Sequence, residues 1–165
     1  MTRVPGPTTP PLPVADEERE DDETMVTTRE TMSPAAVSVS TGDTLAEVAR
    51  TLRDRRLAEL PVCDEFETLV AVVTDRDLVV GAMADGADPV TTHVRDLGLV
   101  APVSVQADAS AEEALGLMIE HATRRLPVVD RGQLVGMVTQ VALAMALSEE
   151  SIGNLVAEAG RQRAR

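Results

Sequence analysis

Residues 60–74 read LPVCDEFETLVAVVT and residues 126–139 read LPVVDRGQLVGMVT, so the chain carries one pattern twice. The two Leu-Pro-Val steps lie 66 positions apart, whereas the Leu-Val pairs that follow lie 65 apart, because the second copy has one residue fewer in its turn. Upstream, Val-Ser-Val at 37–39 recurs at 103–105, again 66 positions later. Three matches in the same order predict an internal repeat of one structural unit.

Each copy predicts the element order β-α-β-β-α, which places the chain in the α/β (α+β) class. In the first copy, alternation predicts a short strand at 37–39, and apolar runs predict strands at 60–63 and 69–73 with a polar turn between them. A helix lies between the first two strands, and a last helix begins near Thr74. The second copy repeats this order.

The helix between the first two strands has the same start signal in both copies. Thr44 and Glu47 have the spacing of a capping box in the first copy, and Ser110 and Glu113 have it in the second. The helices are therefore expected to begin directly after Thr44 and after Ser110.

Each unit would expose an apolar sheet face that few residues can cover, since small domains bury little surface alone. We therefore expect the two units to stack sheet to sheet about a quasi-twofold axis, which leaves two clefts between them. The predicted organisation is a disordered Pro-rich and acidic tail at 1–27, a first unit at 28–88, a second unit at 89–147 and a C-terminal helix and tail at 148–165.

Composition argues against several classes of partner. A net charge of −13 repels nucleic acid and anionic membranes, and Phe66 is the only aromatic side chain on which a base could stack. No segment approaches the roughly 18 apolar residues of a membrane span. The lone Cys63 excludes an internal disulfide and fits a reducing compartment. We therefore expect a cytoplasmic protein without nucleic-acid or membrane partners.

The junction Val-Thr-Asp-Arg-Asp at 73–77 is the segment best suited to binding a ligand. A strand ends and a helix begins at once, which offers backbone N–H groups and a positive dipole end to an anion. Asp77 has the chemistry to take ribose hydroxyls beside Thr74, and Arg76 to reach a phosphate. The same spacing also suits a plain helix cap formed by Thr74 and Asp77. The spacing alone leaves both interpretations open.

The doubled pattern resembles the CBS domain. The residues that carry the resemblance are Leu-Pro-Val-Cys-Asp at 60–64 with Val-Thr-Asp-Arg-Asp at 73–77, and Arg-Arg-Leu-Pro-Val-Val-Asp at 124–130 with Gly-Met-Val-Thr at 136–139. The resemblance covers about residues 26–147, and the stretch 60–80 is similar to actinobacterial two-CBS proteins of the hypoxic-response type. It implies a paired arrangement, the Bateman module, commonly as a dimer of pairs, with AMP, ADP or ATP as the usual ligands.

The resemblance also implies which residues bind the ligand. They are Thr74, Asp77, Arg76, Ala36, Val37, Leu60, Pro61, Arg124, Arg125 and Thr139. In the family pattern the Thr and the Asp hold the ribose, the first strand and the Leu-Pro step hold the base, and the arginines meet phosphate. The second copy keeps Thr139 but has Ala142 where the first has Asp77, so one site is expected to be intact and the other degenerate. The sequence leaves open which cleft receives Arg124 and Arg125.

The leading hypothesis is a non-catalytic regulatory module that binds an adenosine nucleotide between its two domains and signals by a change of shape. The alternatives are a ligand-free dimerisation scaffold and a sensor of S-adenosylmethionine or a cyclic dinucleotide. We expect a homodimer that regulates another protein and requires no cofactor. No arrangement of residues indicates an enzyme. Cys63, His93 and His121 are too widely spread to predict a metal site within one chain, although a site between subunits stays an alternative.

Overall fold

The computed structural model describes residues 25–34 and 36–163. The tail predicted at 1–27 therefore lies, through residue 24, outside the described residues. Its last part is built into the fold, because the Val26 carbonyl accepts a hydrogen bond of 2.8 Å from the Ala111 N–H, and Thr27 caps the first helix. The boundary between tail and fold thus falls earlier than residue 28.

The first repeat forms a sheet of order β2-β3-β4 among the described residues. Its strands are β2 (Val39–Ser40), β3 (Glu59–Cys63) and β4 (Leu69–Thr74). β2 is parallel to β3, whereas β4 is antiparallel to β3. Helix α2 (Leu45–Arg55) covers one face of this sheet with the buried side chains of Leu45, Val48 and Leu52.

The predicted capping box starts α2. The Glu47 carboxylate accepts hydrogen bonds of 2.8 Å from the Thr44 N–H and 2.7 Å from the Thr44 hydroxyl, and Thr44 Oγ1 accepts one of 3.3 Å from the Glu47 N–H. These bonds hold the pKa of Glu47 below its usual value, because the backbone and hydroxyl donors of Thr44 favour the carboxylate. In the second repeat Ser110 caps the corresponding helix, accepting a hydrogen bond of 3.0 Å from the Glu113 N–H.

The second repeat forms the larger sheet, of order β1-β7-β6-β5. Its own elements are β5 (Val105–Gln106), α3 (Ala111–Glu120), β6 (Arg125–Asp130), β7 (Gln133–Thr139) and α4 (Gln140–Ala146), followed by α5 (Glu149–Arg163), which packs on α3. The first strand of each repeat is shorter and begins later than predicted, at Val39 and Val105 rather than at 37 and 103. None of the helices within residues 25–34 and 36–163 combines the length and apolar character needed to cross a bilayer.

The helix that follows β4 differs from its counterpart α4. Residues Asp77–Ala82 adopt a π-helix and Met83–Asp85 a 3-10 turn, and a further 3-10 turn, Val94–Leu97, lies in the linker. Gly86 ends this region in the left-handed conformation, with φ of 80°. The predicted last helix of the first unit is thus present but wider and shorter than an ordinary α-helix.

The N-terminal segment packs on the second unit, although the sequence assigned residues 28–34 to the first. It consists of helix α1 (Thr28–Thr31) and strand β1 (Ser33–Pro34). The buried Thr28 donates hydrogen bonds to the Ala109 carbonyl from its N–H, at 2.8 Å, and from its hydroxyl, at 3.0 Å. β1 then pairs antiparallel with β7, with Pro34 opposite Gly136. The first repeat therefore completes the sheet of the second.

Gly136 permits this crossing. A Cβ at Gly136 would lie 2.7 Å from the Ser33 carbonyl oxygen and 2.7 Å from Met32 Sδ, so the absence of a side chain lets β1 approach. The first repeat has Ala71 at the equivalent position, 65 residues earlier. The linker residue Leu99 lies near Ala71 across a cavity of about 110 Å³, and the two do not pair as strands.

The two turns between hairpin strands meet at a local twofold axis. The Leu69 N–H donates to the Gly132 carbonyl at 3.2 Å, and the Leu134 N–H donates to the Glu67 carbonyl at 3.3 Å. Residues 132 and 134 are the counterparts of 67 and 69, because each lies 65 positions later. The repeat symmetry therefore converts each of these two hydrogen bonds into the other. Thr68 and Gln133, also 65 apart, form the bridge between them. The expected quasi-twofold stacking of two units is confirmed.

Replacing Gly136 with Ala is expected to lower the free energy of unfolding by about 1–3 kcal/mol, because the Ser33 backbone cannot yield to the new methyl group. Chemical denaturation measures this loss, and hydrogen exchange should show faster exchange at residues 26–34 than elsewhere. Gly116→Ala is the matched control: it lies inside α3 with nothing within 4 Å of an added Cβ, and should stabilise by roughly 0.5–1 kcal/mol. Unchanged stability of the Gly136 variant would contradict the packing argument.

Candidate ligand clefts

Two clefts between the sheets are built from both repeats. Cleft A has a volume of about 300 Å³ and cleft B of about 290 Å³. Cleft A is lined by Glu59, Val72, Pro102, Val103, His121, Thr123, Arg125, Leu126, Pro127 and Met137. Cleft B is lined by Ser33, Pro34, Ala36, Val37, Leu57, Glu59, Pro61, Arg125, Met137 and Thr139. Their volumes are at the lower end of what a small-molecule site requires.

The two linings are related by the repeat. Ala36, Val37, Leu57, Glu59 and Pro61 of cleft B each have a counterpart 66 positions later in cleft A, namely Pro102, Val103, Thr123, Arg125 and Pro127. The clefts are therefore two versions of one site, and their differences come from substitutions between the copies. The replacement of Leu57 by Thr123 makes cleft A the more polar of the two.

Glu59 and Arg125 occupy equivalent positions at the start of β3 and β6, and both line both clefts. Glu59 lies opposite Thr74 in the β3–β4 pair, and Arg125 lies opposite Thr139 in the β6–β7 pair. Within the described part of the chain, the Arg125 guanidinium has no ion-pair partner. One acidic and one basic side chain thus lie on the wall common to the clefts.

Thr74 and Asp77 form a closed capping box at the end of β4. Asp77 Oδ2 accepts hydrogen bonds of 2.8 Å from the Thr74 N–H and 2.7 Å from the Thr74 hydroxyl. Thr74 Oγ1 accepts one of 3.1 Å from the Asp77 N–H. The cap that the sequence offered as the plain interpretation therefore exists. It engages one carboxylate oxygen of Asp77, and both side chains are only partly buried.

The second copy keeps half of this arrangement. Thr139 caps α4 and accepts a hydrogen bond of 3.2 Å from the Ala142 N–H. Ala142 has no carboxylate to return the bond, as the sequence indicated. Thr139 lines cleft B, and Val72, two residues before Thr74 on β4, lines cleft A. The strand that contributes Val72 to cleft A thus ends in the complete Thr74–Asp77 pair. Cleft B instead contains Thr139, which has Ala142 rather than an Asp three residues later.

The structure distributes the predicted ligand-binding residues of the first repeat differently from the sequence analysis, which had assigned them to one site. Ala36, Val37 and Pro61 lie in cleft B with Thr139, and not with Val72 in cleft A. The reason is the stacking about the local axis, because it brings the first strand of one repeat beside the hairpin end of the other. Pro102 and Val103, which the sequence analysis did not select, take their place in cleft A. The 66-residue offset was the signal that would have found them.

Thr74 and Asp77 line neither cleft wall, and three other predicted residues also lie off the walls. Leu60 is fully buried, at 0% exposure, in the core of the first unit. Arg76 and Arg124 are exposed and line neither cleft. The Arg124 carbonyl accepts a hydrogen bond of 2.9 Å from the Gln140 N–H, which fixes the Arg124 backbone beside the start of α4. Arg125 is therefore the arginine of the predicted set that reaches the clefts.

The three candidate metal ligands are dispersed. Cys63 lies at the end of β3, where burial raises the pKa of its thiol and disfavours the thiolate that a metal requires. His93 precedes a 3-10 turn with its Nδ1 3.6 Å from Asp96 Oδ2, and His121 lines cleft A. The described residues contain no group of three or more His, Cys, Asp or Glu side chains arranged to hold a metal ion.

Comparison with known proteins shows which family has this architecture. The family model of the CBS domain matches residues 28–82 and 94–149. Hypoxic response protein 1 of Mycobacterium tuberculosis is 36% identical over 132 residues, which cover 80% of this chain and 92% of that protein. Hypoxic Response Protein I, solved with two coordinated zinc ions, superimposes with a TM-score of 0.69 at 36% identity and covers 74% of this chain and 100% of that one.

A further solved relative carries a nucleotide. CBSX2 of Arabidopsis thaliana, solved in complex with AMP, has a TM-score of 0.63 at 29% identity and covers 73% of this chain and 95% of that one. The family model matches both repeats, and the fold repeats that of CBS pairs over most of the described chain. The chain therefore belongs to the CBS-domain family, with two CBS domains arranged as a regulatory pair.

Proposed function

We propose that this chain is a non-catalytic nucleotide sensor that binds an adenosine nucleotide in cleft A. The observation that carries the proposal is the combination, in the lining of cleft A, of the cationic Arg125 with an apolar surface for a base formed by Pro102 and Val103. The complete Thr74–Asp77 pair ends β4 two residues beyond Val72, which lines the same cleft. The AMP complex of the related CBSX2 supports this class of ligand. No required cofactor enters the proposal.

The ribose is held by Asp77 in this proposal. Its Oδ2 atom already faces the Thr74 donors, so the carboxylate is fixed in orientation before a ligand arrives. The second carboxylate oxygen is then available to accept a ribose hydroxyl, and Thr74 Oγ1 can reorient to share in that contact. A carboxylate fixed in this way loses little rotamer entropy on binding, which favours affinity.

In this proposal the phosphate is bound by Arg125, and His121 and Thr123 also line cleft A. A guanidinium makes paired, charge-assisted hydrogen bonds to phosphate oxygens, which are stronger than neutral ones. Glu59 opposes this attraction, because its carboxylate lines the same cleft. Arg76 and Arg124, exposed outside the cleft walls, stay candidates for the outer phosphates of a di- or triphosphate.

Signalling follows from the position of the clefts between the two sheets. A ligand that bridges the first strand of one repeat and the hairpin end of the other stabilises one relative placement of the units. Such a ligand shifts the shape equilibrium only by its difference in affinity for the two placements. We propose that the change is read by another protein in the cytoplasm.

We further propose that the chain forms a homodimer through the helices that follow β4 and β7. These helices expose large apolar side chains: Val79 at 57%, Val80 at 53%, Met83 at 57%, Val141 at 69% and Met145 at 84%. Exposed apolar patches of this kind mark interfaces, and Met suits adaptable contacts. The same surface supports the second candidate function, a dimerisation scaffold that binds no ligand.

Nucleotide binding is tested by calorimetric titration of AMP. The wild type should bind AMP, and Asp77→Asn should weaken binding at least roughly tenfold, because a charge-assisted bond worth about 1.5–3 kcal/mol is lost. The Asn side chain keeps an acceptor for the Thr74 N–H, so the fold is retained. Asp75→Asn is the matched control, since Asp75 is an exposed carboxylate two residues away; it should bind as the wild type does. A wild type that binds no AMP at millimolar concentration would favour the scaffold.

Dimerisation is tested by analytical ultracentrifugation at micromolar concentration. The molar mass measured for the wild type should be twice the chain mass of 17.5 kDa. Met145→Glu should shift it towards the monomer, because a buried unpaired charge is costly at an interface. Val100→Glu is the matched control, since Val100 is 80% exposed and belongs to the linker rather than to these helices. A wild-type monomer, or equal effects of both substitutions, would contradict the assignment of this surface.

A further inference from the structure

The two clefts have one cation in common. Arg125 lines both of them, and among the described residues on their walls it is the one arginine. Its counterpart in the first repeat, Glu59, also lines both and carries the opposite charge. A symmetric pair of anion sites would need a cation at each of these two positions, and this chain supplies one cation and one anion.

We infer that Arg125 serves one cleft at a time, so that the chain takes one phosphate-bearing adenosine ligand and leaves the second cleft to an uncharged nucleoside. This inference rests on the proposed function and states how that function is regulated. The N–H donors of a guanidinium lie in one plane in a fixed fork, so a guanidinium that makes paired hydrogen bonds to a phosphate in one cleft has that edge turned away from the other cleft. A phosphate entering the other cleft then meets the Glu59 carboxylate without a neutralising arginine.

The remaining lining residues decide which cleft takes the phosphate. Cleft A has Thr123 and His121 beside Arg125. Cleft B has Leu57 at the position of Thr123, together with Pro34 from the crossing strand β1. Cleft B has the hydroxyls of Ser33 and Thr139, but apolar side chains that suit a base form most of its surface, whereas the surface of cleft A is more polar. Cleft A takes the phosphorylated ligand, and cleft B the uncharged one.

The consequence is coupling between the clefts through a single side chain. Occupation of cleft A by AMP withdraws Arg125 from cleft B and weakens a second AMP there, whereas adenosine makes no demand on Arg125 and can occupy either cleft. Because charge-assisted hydrogen bonds to the phosphate are lost, the second AMP is expected to bind roughly 10- to 150-fold more weakly than the first.

The test first gives cleft B a ribose anchor, so that a missing carboxylate does not limit binding. Ala142→Asp supplies it, and the new Asp can close a capping box with Thr139 as Asp77 does with Thr74, which favours folding. Calorimetry with adenosine and with AMP then gives the stoichiometry. The expected result is that each chain binds two adenosine molecules with similar affinities. It should bind two AMP molecules as well, one tightly and one weakly.

Adding Arg125→Gln separates sharing from simple repulsion between two bound phosphates. If Arg125 is shared, the double variant loses the 10- to 150-fold difference, and each AMP molecule binds no tighter than adenosine does in the same variant. If repulsion alone separates them, the two AMP affinities stay unequal, which overturns the inference. Arg50→Gln, which removes one exposed arginine from α2, is the matched control and should keep the unequal pair.

The remaining outcomes are also decisive. Two AMP molecules of equal affinity in Ala142→Asp with Arg125 present would overturn the sharing of Arg125 and leave the proposed function standing. If that variant binds one adenosine in the first titration and one AMP in the second, cleft B itself limits the stoichiometry. That result would also overturn the sharing of Arg125. Binding of neither probe to the wild type and the variant would remove the proposed function and this inference together.

Discussion

The reciprocal hydrogen bonds between the two hairpin turns are the constraint on which the rest of this structure depends. Leu69 donates to Gly132 and Leu134 donates to Glu67, so each turn supplies one donor and one acceptor under the same symmetry. A self-complementary contact of this kind fixes both the axis and the separation of the sheets. Once the axis is set, every residue at the sheet interface has a partner position 65 or 66 residues away.

The crossing of β1 adds a second tie between the units. The buried Thr28 and the pair between Pro34 and Gly136 attach the N-terminal segment of the first repeat to the sheet of the second. The linker beside Ala71 has no equivalent pairing, so the two sheets differ in size. The segment also places Ser33 and Pro34 in the wall of cleft B.

The sequence predicted the repeat, the central strands and the Thr44–Glu47 capping box because each depends on local chemistry, whereas of the box predicted at Ser110 and Glu113 the structure shows the Ser110 half. Thr44 with Glu47, and Thr74 with Asp77, form the bonds their spacing indicates. It did not predict that β1 would join the other sheet, or that Ala36 and Val37 would lie with Thr139. Those facts depend on how two units stack, and a pattern within one unit carries no information about them. The π-helix after β4 also escaped prediction, because its apolar residues suit an α-helix equally well.

The divergence of the two copies has a physical logic that follows from the shared wall. Two identical units would place the same residue at positions 59 and 125, and two arginines or two glutamates there would lie close to each other in a chain of net charge −13. Opposite charges at these positions avoid that repulsion, but they leave the pair with one cation to distribute. The exchange of Leu57 in cleft B for Thr123 in cleft A adds to this asymmetry, because it gives cleft A the more polar wall.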